Sequence, residues 1–161
     1  MRKLILILFL FSLIACQAST KKVQTEIVDT EPPTGYDEML AAKLGADDYG
    51  MSKYVIAFLK AGPNRSQDST TLAELQAAHL ANMRRMSQAG QLVLAGPFLE
   101  DGDIRGIFIF AVETVEEARE LTDSDPMIQA GRLIMEMHPW YGSSALKQVT
   151  GIHSRIRKIS F

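Results

Sequence analysis

The sequence predicts an α+β fold in which four strands and two helices follow one another as strand, helix, strand, strand, helix, strand. Four short apolar runs are rich in β-prone residues and end at turn-forming residues. Two stretches between them carry the Thr-x-x-Glu pattern that is typical of a helix start. The length of 161 residues, with 47% hydrophobic and 22% charged residues, fits a single folded domain and excludes wholesale disorder.

The first strand and the first helix are predicted from turn residues and apolar spacing. Residues 53–61 form an apolar, β-prone run that ends at Gly62-Pro63-Asn64, which predicts a strand followed by a loop. Residues 71–74 predict a capping box, and Gly90 is expected to end the helix that follows it. The side chains at helical spacing in this segment are Leu72, Leu75, His79, Met83 and Met86.

The remaining elements are predicted in the same way. A second strand is expected at residues 92–95 and a third at residues 104–112. Residues 114–117 form a second capping box, which opens a helix that ends near residue 121. The fourth strand is predicted over residues 133–138 and is expected to stop at Pro139.

This order of elements predicts a ferredoxin-like βαββαβ sheet with both helices on one face. The first and third strands are apolar on both of their faces, so the face without helices also needs a cover. The simplest cover is a second copy of the chain. The sequence therefore predicts a homodimer, in which two sheets close into a dimeric α+β barrel around a shared cleft.

The N-terminus is typical of an export signal. A cationic start at residues 1–3 precedes an apolar run over residues 4–15, which is shorter than the roughly 20 residues of a transmembrane helix. Residues 13–16, Leu-Ile-Ala-Cys, resemble the lipobox of bacterial lipoproteins, so Cys16 would carry the lipid and begin the mature chain. The alternative is ordinary cleavage that leaves a free thiol. The predicted location is the bacterial cell envelope, and Gln17 favours the outer membrane if the host is Gram-negative.

The chain divides into segments of different composition. The predicted segments are a signal peptide at 1–15, a polar tether at 16–35, a short helical lead-in at 36–52, the domain at 53–141 and a C-terminal extension at 142–161. The extension is interpreted as an edge strand, a helix, a contact with anionic headgroups or a solvated segment packed on the domain. A formal net charge of −2 predicts no nucleic-acid partner, and a single cysteine excludes an intrachain disulfide.

Five pieces of the domain together resemble the YCII-related (YciI-like) family. They are Tyr54-Val55-Ile56, Ala78-His79-Leu80, Leu94-Ala95-Gly96-Pro97, the run at 122–131 and the run at 135–140. The resemblance implies a ferredoxin-like dimeric barrel with a His–Asp acid/base pair in a cleft, which here corresponds to His79 and Asp125. A few relatives act on small ring compounds, including a dehydrochlorinase of aromatic degradation, and most have no assigned activity. The leader, the tether and the long C-terminal extension depart from the simplest members.

The residues themselves allow two interpretations of this pair. His79 lies on the apolar stripe of its helix, where it is either a proton-transfer group facing a pocket or a hydrogen-bonded core histidine. Asp125 precedes Pro126, a pattern that predicts an N-cap followed by proline in the first helical position. A capping carboxylate can also orient an imidazole and raise its pKa, so capping and catalysis are compatible.

Three other residues are candidates for substrate binding. Arg65 lies in the loop after the first strand, where it would meet an anionic substrate or belong to a solvated connector. Glu136 and His138 share one face of the last strand and would line the cleft or an interface. Glu136, His138 and His79 lack the spacing of a metal site, so no metal is predicted, and no cofactor is predicted either.

Two functions remain open at this point. One is an enzyme in which His79 and Asp125 transfer a proton on a small ring or carbonyl compound. The other is a non-catalytic envelope module whose dimer cleft binds a small molecule or a protein partner. Hydrogen-bond contact between the two side chains, together with access to solvent, would favour the enzyme.

Overall fold

The computed structural model describes residues 35–159, and residues 36–159 form one compact unit with its own hydrophobic core. A unit that carries its own core is expected to fold by itself. The predicted signal peptide, Cys16 and the tether up to residue 34 lie outside the described residues. In the described part of the chain, no helix is both long and apolar enough to cross a membrane.

The observed elements follow the predicted order, with additional short helices. They are α1 (Glu38–Leu44), β1 (Met51–Ala61), α2 (Ser69–Gln88), β2 (Leu92–Pro97), β3 (Ile104–Phe110), α3 (Val115–Thr122), α4 (Pro126–Gln129), β4 (Leu133–Ser143), a 3-10 turn (Ser144–Gln148) and α5 (Val149–Ile156). The four strands form one antiparallel sheet in the order β2-β3-β1-β4. This is the ferredoxin-like arrangement, so the predicted fold class is confirmed.

Capping explains where the helices α2 and α3 begin. The prediction for α3 is confirmed, because the Glu117 amide donates to Thr114 Oγ1 at 3.2 Å and the Glu117 carboxylate accepts from the Thr114 amide at 3.1 Å. The box predicted at residues 71–74 is wrong. The helix α2 begins three residues earlier with Asp68 as N-cap, since that carboxylate accepts from the Thr71 amide at 2.8 Å.

Two strand ends also differ from the predictions. The prediction that β4 stops at Pro139 is wrong, because the strand continues to Ser143 with Pro139 opposite Val55 of β1. Since β4 is an edge strand, a residue without an N–H is tolerated there. The strand β3 ends at Phe110, two residues before the predicted end at residue 112.

The sheet has two different apolar faces. One face packs under α2 and α3 and supplies the main core, which includes Val55, Ala57 and Phe108 together with helix residues such as Met86. The other face, here called the open face, carries side chains of the alternate strand positions, which are Tyr54, Ile56, Phe58, Ile107 and Ile109. Both faces of β1 and β3 are therefore apolar, as predicted.

The C-terminal extension packs on the domain and includes a helix. Leu146 of the 3-10 turn packs against Tyr54, Val93 and Ile109, so it covers one end of the open face. Lys147 Nζ donates to the Leu44 carbonyl at 2.6 Å and to Ser52 Oγ at 3.0 Å, which ties α1 and β1 to the extension. The helix α5 then contacts the edge strand β2.

Candidate functional site: a buried histidine–aspartate pair

The helix α2 carries His79 inward, onto the sheet. Its twenty residues place the apolar stripe over β3, and the His79 ring stacks on Phe108 with a centroid distance of 5.9 Å and an interplanar angle of 14°. Only 5% of His79 is exposed. The predicted position of this side chain on the core face of its helix is therefore observed.

A short helix presents Asp125 to this histidine. Asp125 is the N-cap of α4, its Oδ1 accepts from the Met127 amide at 3.0 Å, and Pro126 occupies the first turn. The N-cap prediction is confirmed. Asp125 is 1% exposed, so its carboxylate has left bulk water and depends on protein donors.

The two side chains meet in a bifurcated hydrogen bond. His79 Nδ1 lies 2.9 Å from Asp125 Oδ2 and 3.0 Å from Oδ1. Asn82 Nδ2 donates to Oδ2 at 3.0 Å from the same helix, one turn after His79. The sequence reasoning missed Asn82, although its spacing of three residues from His79 places both on one helix face.

These bonds decide the charge of the aspartate. Burial raises the pKa of Asp125, but the hydrogen bonds from His79 and Asn82 lower it more, and its pKa lies below the ordinary value of 3.8. The carboxylate is therefore ionised at neutral pH. Because an ionised carboxylate can only accept, Nδ1 of His79 carries a proton and donates it.

The second ring nitrogen of His79 takes no part in the contact with Asp125. No hydrogen bond from residues 35–159 reaches Nε2 of His79. In the neutral ring with Nδ1 protonated, Nε2 has the lone pair and can take a proton. Two surface cavities, of about 390 and 380 Å³, open elsewhere and are lined by neither His79 nor Asp125.

Arg65 lies on a loop that is fixed beside α4. The Gly62 amide donates to the Arg132 carbonyl at 2.9 Å, and the Asn64 amide donates to the Gly131 carbonyl at 3.0 Å. A Cβ at Gly62 would lie 2.2 Å from the Gly131 oxygen, so this close approach requires glycine. Arg65 itself is exposed. Its loop is hydrogen-bonded to the segment that follows α4, the helix that Asp125 caps.

Glu136 and His138 do not join the buried pair within the chain. Both lie on the open face, because Glu136 is opposite Phe58, whereas His79 stacks on the side of the sheet that carries Phe108. Glu136 accepts from Lys60 Nζ at 2.5 Å and lies 3.1 Å from His138 Nε2. The hydrogen bond from Lys60 is the main reason that the pKa of Glu136 is lowered. Within residues 35–159, no cluster of three or more His, Cys, Asp or Glu side chains could hold a metal.

The fold and this pair define a class of protein: a ferredoxin-like α+β domain with a His–Asp pair between its helices and its sheet. The family model described as the YCII-related domain matches residues 54–140, which is more than half of the chain. The chain belongs to the YCII-related domain family.

One solved structure with detectable similarity is a 5-chloro-2-hydroxyhydroquinone dehydrochlorinase from Burkholderia phenoliruptrix AC1100, in complex with 2,5-dihydroxybenzoquinone. It is 23% identical to this chain with a TM-score of 0.42, and the match covers 55% of this chain and 93% of the other. A likeness of this size carries no argument about the substrate of this chain. No curated protein matches the chain.

Proposed function

We propose that His79 and Asp125 form a general acid/base pair that transfers a proton on a small ring or carbonyl compound. The proposal rests on the contact of 2.9 to 3.0 Å between His79 Nδ1 and the buried carboxylate of Asp125, which stays ionised. In this proposal Asp125 orients the imidazole and stabilises the imidazolium that forms. Nε2 removes a proton from the carbon next to a carbonyl or from the oxygen of an aromatic hydroxyl. It then returns that proton to another atom of the compound, or keeps it while a leaving group departs with its bonding electrons.

A homodimer is part of the proposal, because the open face is apolar and partly uncovered. Ile56, Phe58 and Ile107 remain half-buried there, beyond the end that Leu146 covers. A second copy with its own open face would remove these side chains from water. Glu136 and His138 would then lie at the subunit interface, where they bind substrate only if the cleft extends to that face.

The dimer has a direct test. Ile107→Glu places a charge at the centre of the open face and is expected to give a monomer in light scattering, while the matched change Leu99→Glu in an exposed loop leaves the mass unchanged. A dimer that survives Ile107→Glu with an intact circular dichroism spectrum would refute the use of this face.

An attachment to the bacterial envelope through lipid on Cys16 completes the proposal. Several acyl chains on one cysteine hold a protein stably on a membrane. Replacing the sulfur in Cys16→Ser is expected to release the protein into the soluble fraction of the cell. Unchanged membrane fractionation of this variant would rule out the lipid anchor.

The catalytic role is tested by proton exchange. A panel of hydroxylated quinones, phenols and small ketones is incubated with the protein in D₂O, and deuterium incorporation or product is followed by NMR. For any compound that reacts, His79→Gln is expected to lower the rate about 100-fold or more, which is the usual contribution of a general base. The matched control is Glu120→Gln, which changes an exposed side chain of α3. Equal rates in a folded His79→Gln protein would remove His79 from catalysis.

A non-catalytic envelope module is the second candidate function. The observation that favours it is access: His79 is 5% exposed, and the cavity of about 390 Å³ opens between α2, β2 and α5 instead. A small molecule bound there would raise the melting temperature of the protein. If the compounds that stabilise the protein bind His79→Gln equally well and none of them reacts, the binding module is the better account.

A further inference from the structure

The C-terminal helix presents apolar side chains to solvent. Ile152 is 52% exposed, Ile156 is 73% exposed, and Ile159, just beyond the end of α5, is 84% exposed. The spacing of four residues places Ile152 and Ile156 on one side of the helix. A single exposed isoleucine is ordinary, but three within eight residues form a surface that the domain itself leaves uncovered.

The opposite side of α5 is the side that faces the protein. Val149, Thr150 and His153 line the groove that α5 forms with α2 and β2. Thr150 Oγ1 accepts a hydrogen bond from Ser87 Oγ of α2 at 3.4 Å. The helix is therefore held by this inner side, and the outward isoleucines are not needed for its docking.

The charge of this segment differs from that of the rest of the chain. No acidic residue follows Glu136 in the sequence, whereas Lys147, Arg155, Arg157 and Lys158 all do. The whole chain has a formal net charge of −2, so the positive charge is concentrated at the C-terminal end of an otherwise acidic protein. Arg155 and Lys158 are exposed on the same segment as the isoleucines, and Arg157 is exposed where it also lines the groove.

We propose that α5 and the residues up to Ile159 bind the surface of anionic membranes. An apolar stripe flanked by lysine and arginine matches the boundary between acyl chains and negatively charged headgroups, where each group meets its preferred surroundings. A second copy of the same basic segment is a poorer partner because like charges would face each other. A nucleic acid would use the cations but leave the isoleucines in water.

This contact is separate from the proposed lipid on Cys16. A segment of this size binds weakly by itself, but a second attachment on the same chain acts at a high effective concentration. Its expected role is to hold the domain close to the bilayer in one orientation, so that the end of the molecule with α5 faces the lipid.

The test uses the unit of residues 36–161, which carries its own core and lacks Cys16. Binding is measured by co-sedimentation with vesicles of phosphatidylglycerol mixed with phosphatidylcholine and with vesicles of phosphatidylcholine alone. The unit is expected to prefer the anionic vesicles and to dissociate as salt is raised. Because each lysine or arginine near such a surface contributes about fivefold in binding, Arg155→Gln with Lys158→Gln is expected to lower the partition coefficient by about tenfold or more.

Matched variants separate this surface from a general effect. Ile152→Ser with Ile156→Ser is expected to lower vesicle binding about tenfold or more, since it removes two inserted side chains. Leu99→Ser and Lys43→Gln remove an exposed leucine and an exposed lysine elsewhere and are expected to leave binding unchanged. Thermal unfolding shows whether each variant keeps the fold.

Three results would overturn the proposal. They are no binding to anionic vesicles, equal binding to vesicles of phosphatidylcholine alone, and unchanged binding in both double variants. If the isoleucine variant instead changes the oligomeric mass and no vesicle binding is seen, the surface joins two copies of the chain and the membrane assignment is wrong.

Discussion

The two faces of the sheet each carry a histidine beside a carboxylate, and the two pairs differ in almost every physical respect. Under the helices, His79 and Asp125 are buried, and the carboxylate also receives donors from Asn82 and a backbone amide. On the open face, Glu136 and His138 are exposed, and Lys60 binds the second oxygen of the Glu136 carboxylate. Both histidines reach a carboxylate oxygen at about 3 Å, so distance alone does not distinguish them.

Burial makes the difference between the two pairs. In water, solvent screens the exposed pair and its long side chains are free to rearrange, so it contributes little. Between helix and sheet, the carboxylate has lost its hydration, and each protein donor becomes necessary. A pair of this second kind stabilises the fold, and in the proposed enzyme it would also be a preorganised site. The predictions below separate these two roles.

The largest effect is expected from Asp125→Ala. This change removes the N-cap of α4 and leaves the ring of His79 and the Asn82 amide without their acceptor. Breaking a buried charged pair costs about 3 kcal/mol of unfolding free energy, and loss of the cap adds to this cost. Urea unfolding followed by circular dichroism measures the change. A loss below about 1 kcal/mol would mean that the buried pair is no more important than the exposed one.

A smaller effect is expected from Asn82→Ala. The variant removes one donor to Asp125 but keeps the contact with His79, so the loss of stability is about 1.5 to 2 kcal/mol, as for a hydrogen bond to a charged group. In the proposed enzyme, the orientation of His79 is preserved, and the rate is expected to fall less than in His79→Gln. A loss of stability as large as that of Asp125→Ala would show that the donors act as one inseparable unit.

The loss of unfolding free energy at acid pH should also depend on the buried pair. The pKa of Asp125 in the folded protein is lowered from 3.8, so its stabilising contribution is complete above pH 3.8 and is lost as the pH falls through the lower folded value. Between pH 5 and this acid range, wild-type protein is expected to lose more stability than Asp125→Asn. If the curves of unfolding free energy against pH are parallel for the two proteins, the conclusion that Asp125 is ionised in the folded protein is wrong.

The smallest effect is expected on the open face, where Glu136→Gln removes the ion pair with Lys60. Since the side chains are solvent-exposed, the urea midpoint of the isolated subunit should stay within experimental error of wild type. A dimer would bury this pair, and a measurable change that appears only in the dimer would place Glu136 at the interface. A clear loss of stability in the monomer would contradict the contrast between the two faces.

The predictions that succeeded rest on short-range signals. The capping box at Thr114, the N-cap at Asp125 and the end of α2 just before Gly90 each depend on residues within four positions of one another. The same local rule misplaced the start of α2. Thr71 and Asp68 are both residue types that cap helices, and in the folded protein Asp68 is the N-cap. The end of β4 was missed because the tolerance for Pro139 depends on β4 lying at the sheet edge.

The sequence by itself determined the order of strands and helices, the apolar stripe that carries His79 and the N-cap position of Asp125 at the start of α4. These follow from periodicity and capping, which act over a few residues. Only the tertiary structure decided that the two side chains, 46 positions apart, meet at 2.9 Å, that Asn82 joins them, and that Glu136 and His138 face the other way. The physical reason is that strand register and helix packing set these distances, and both depend on contacts between segments far apart in the chain.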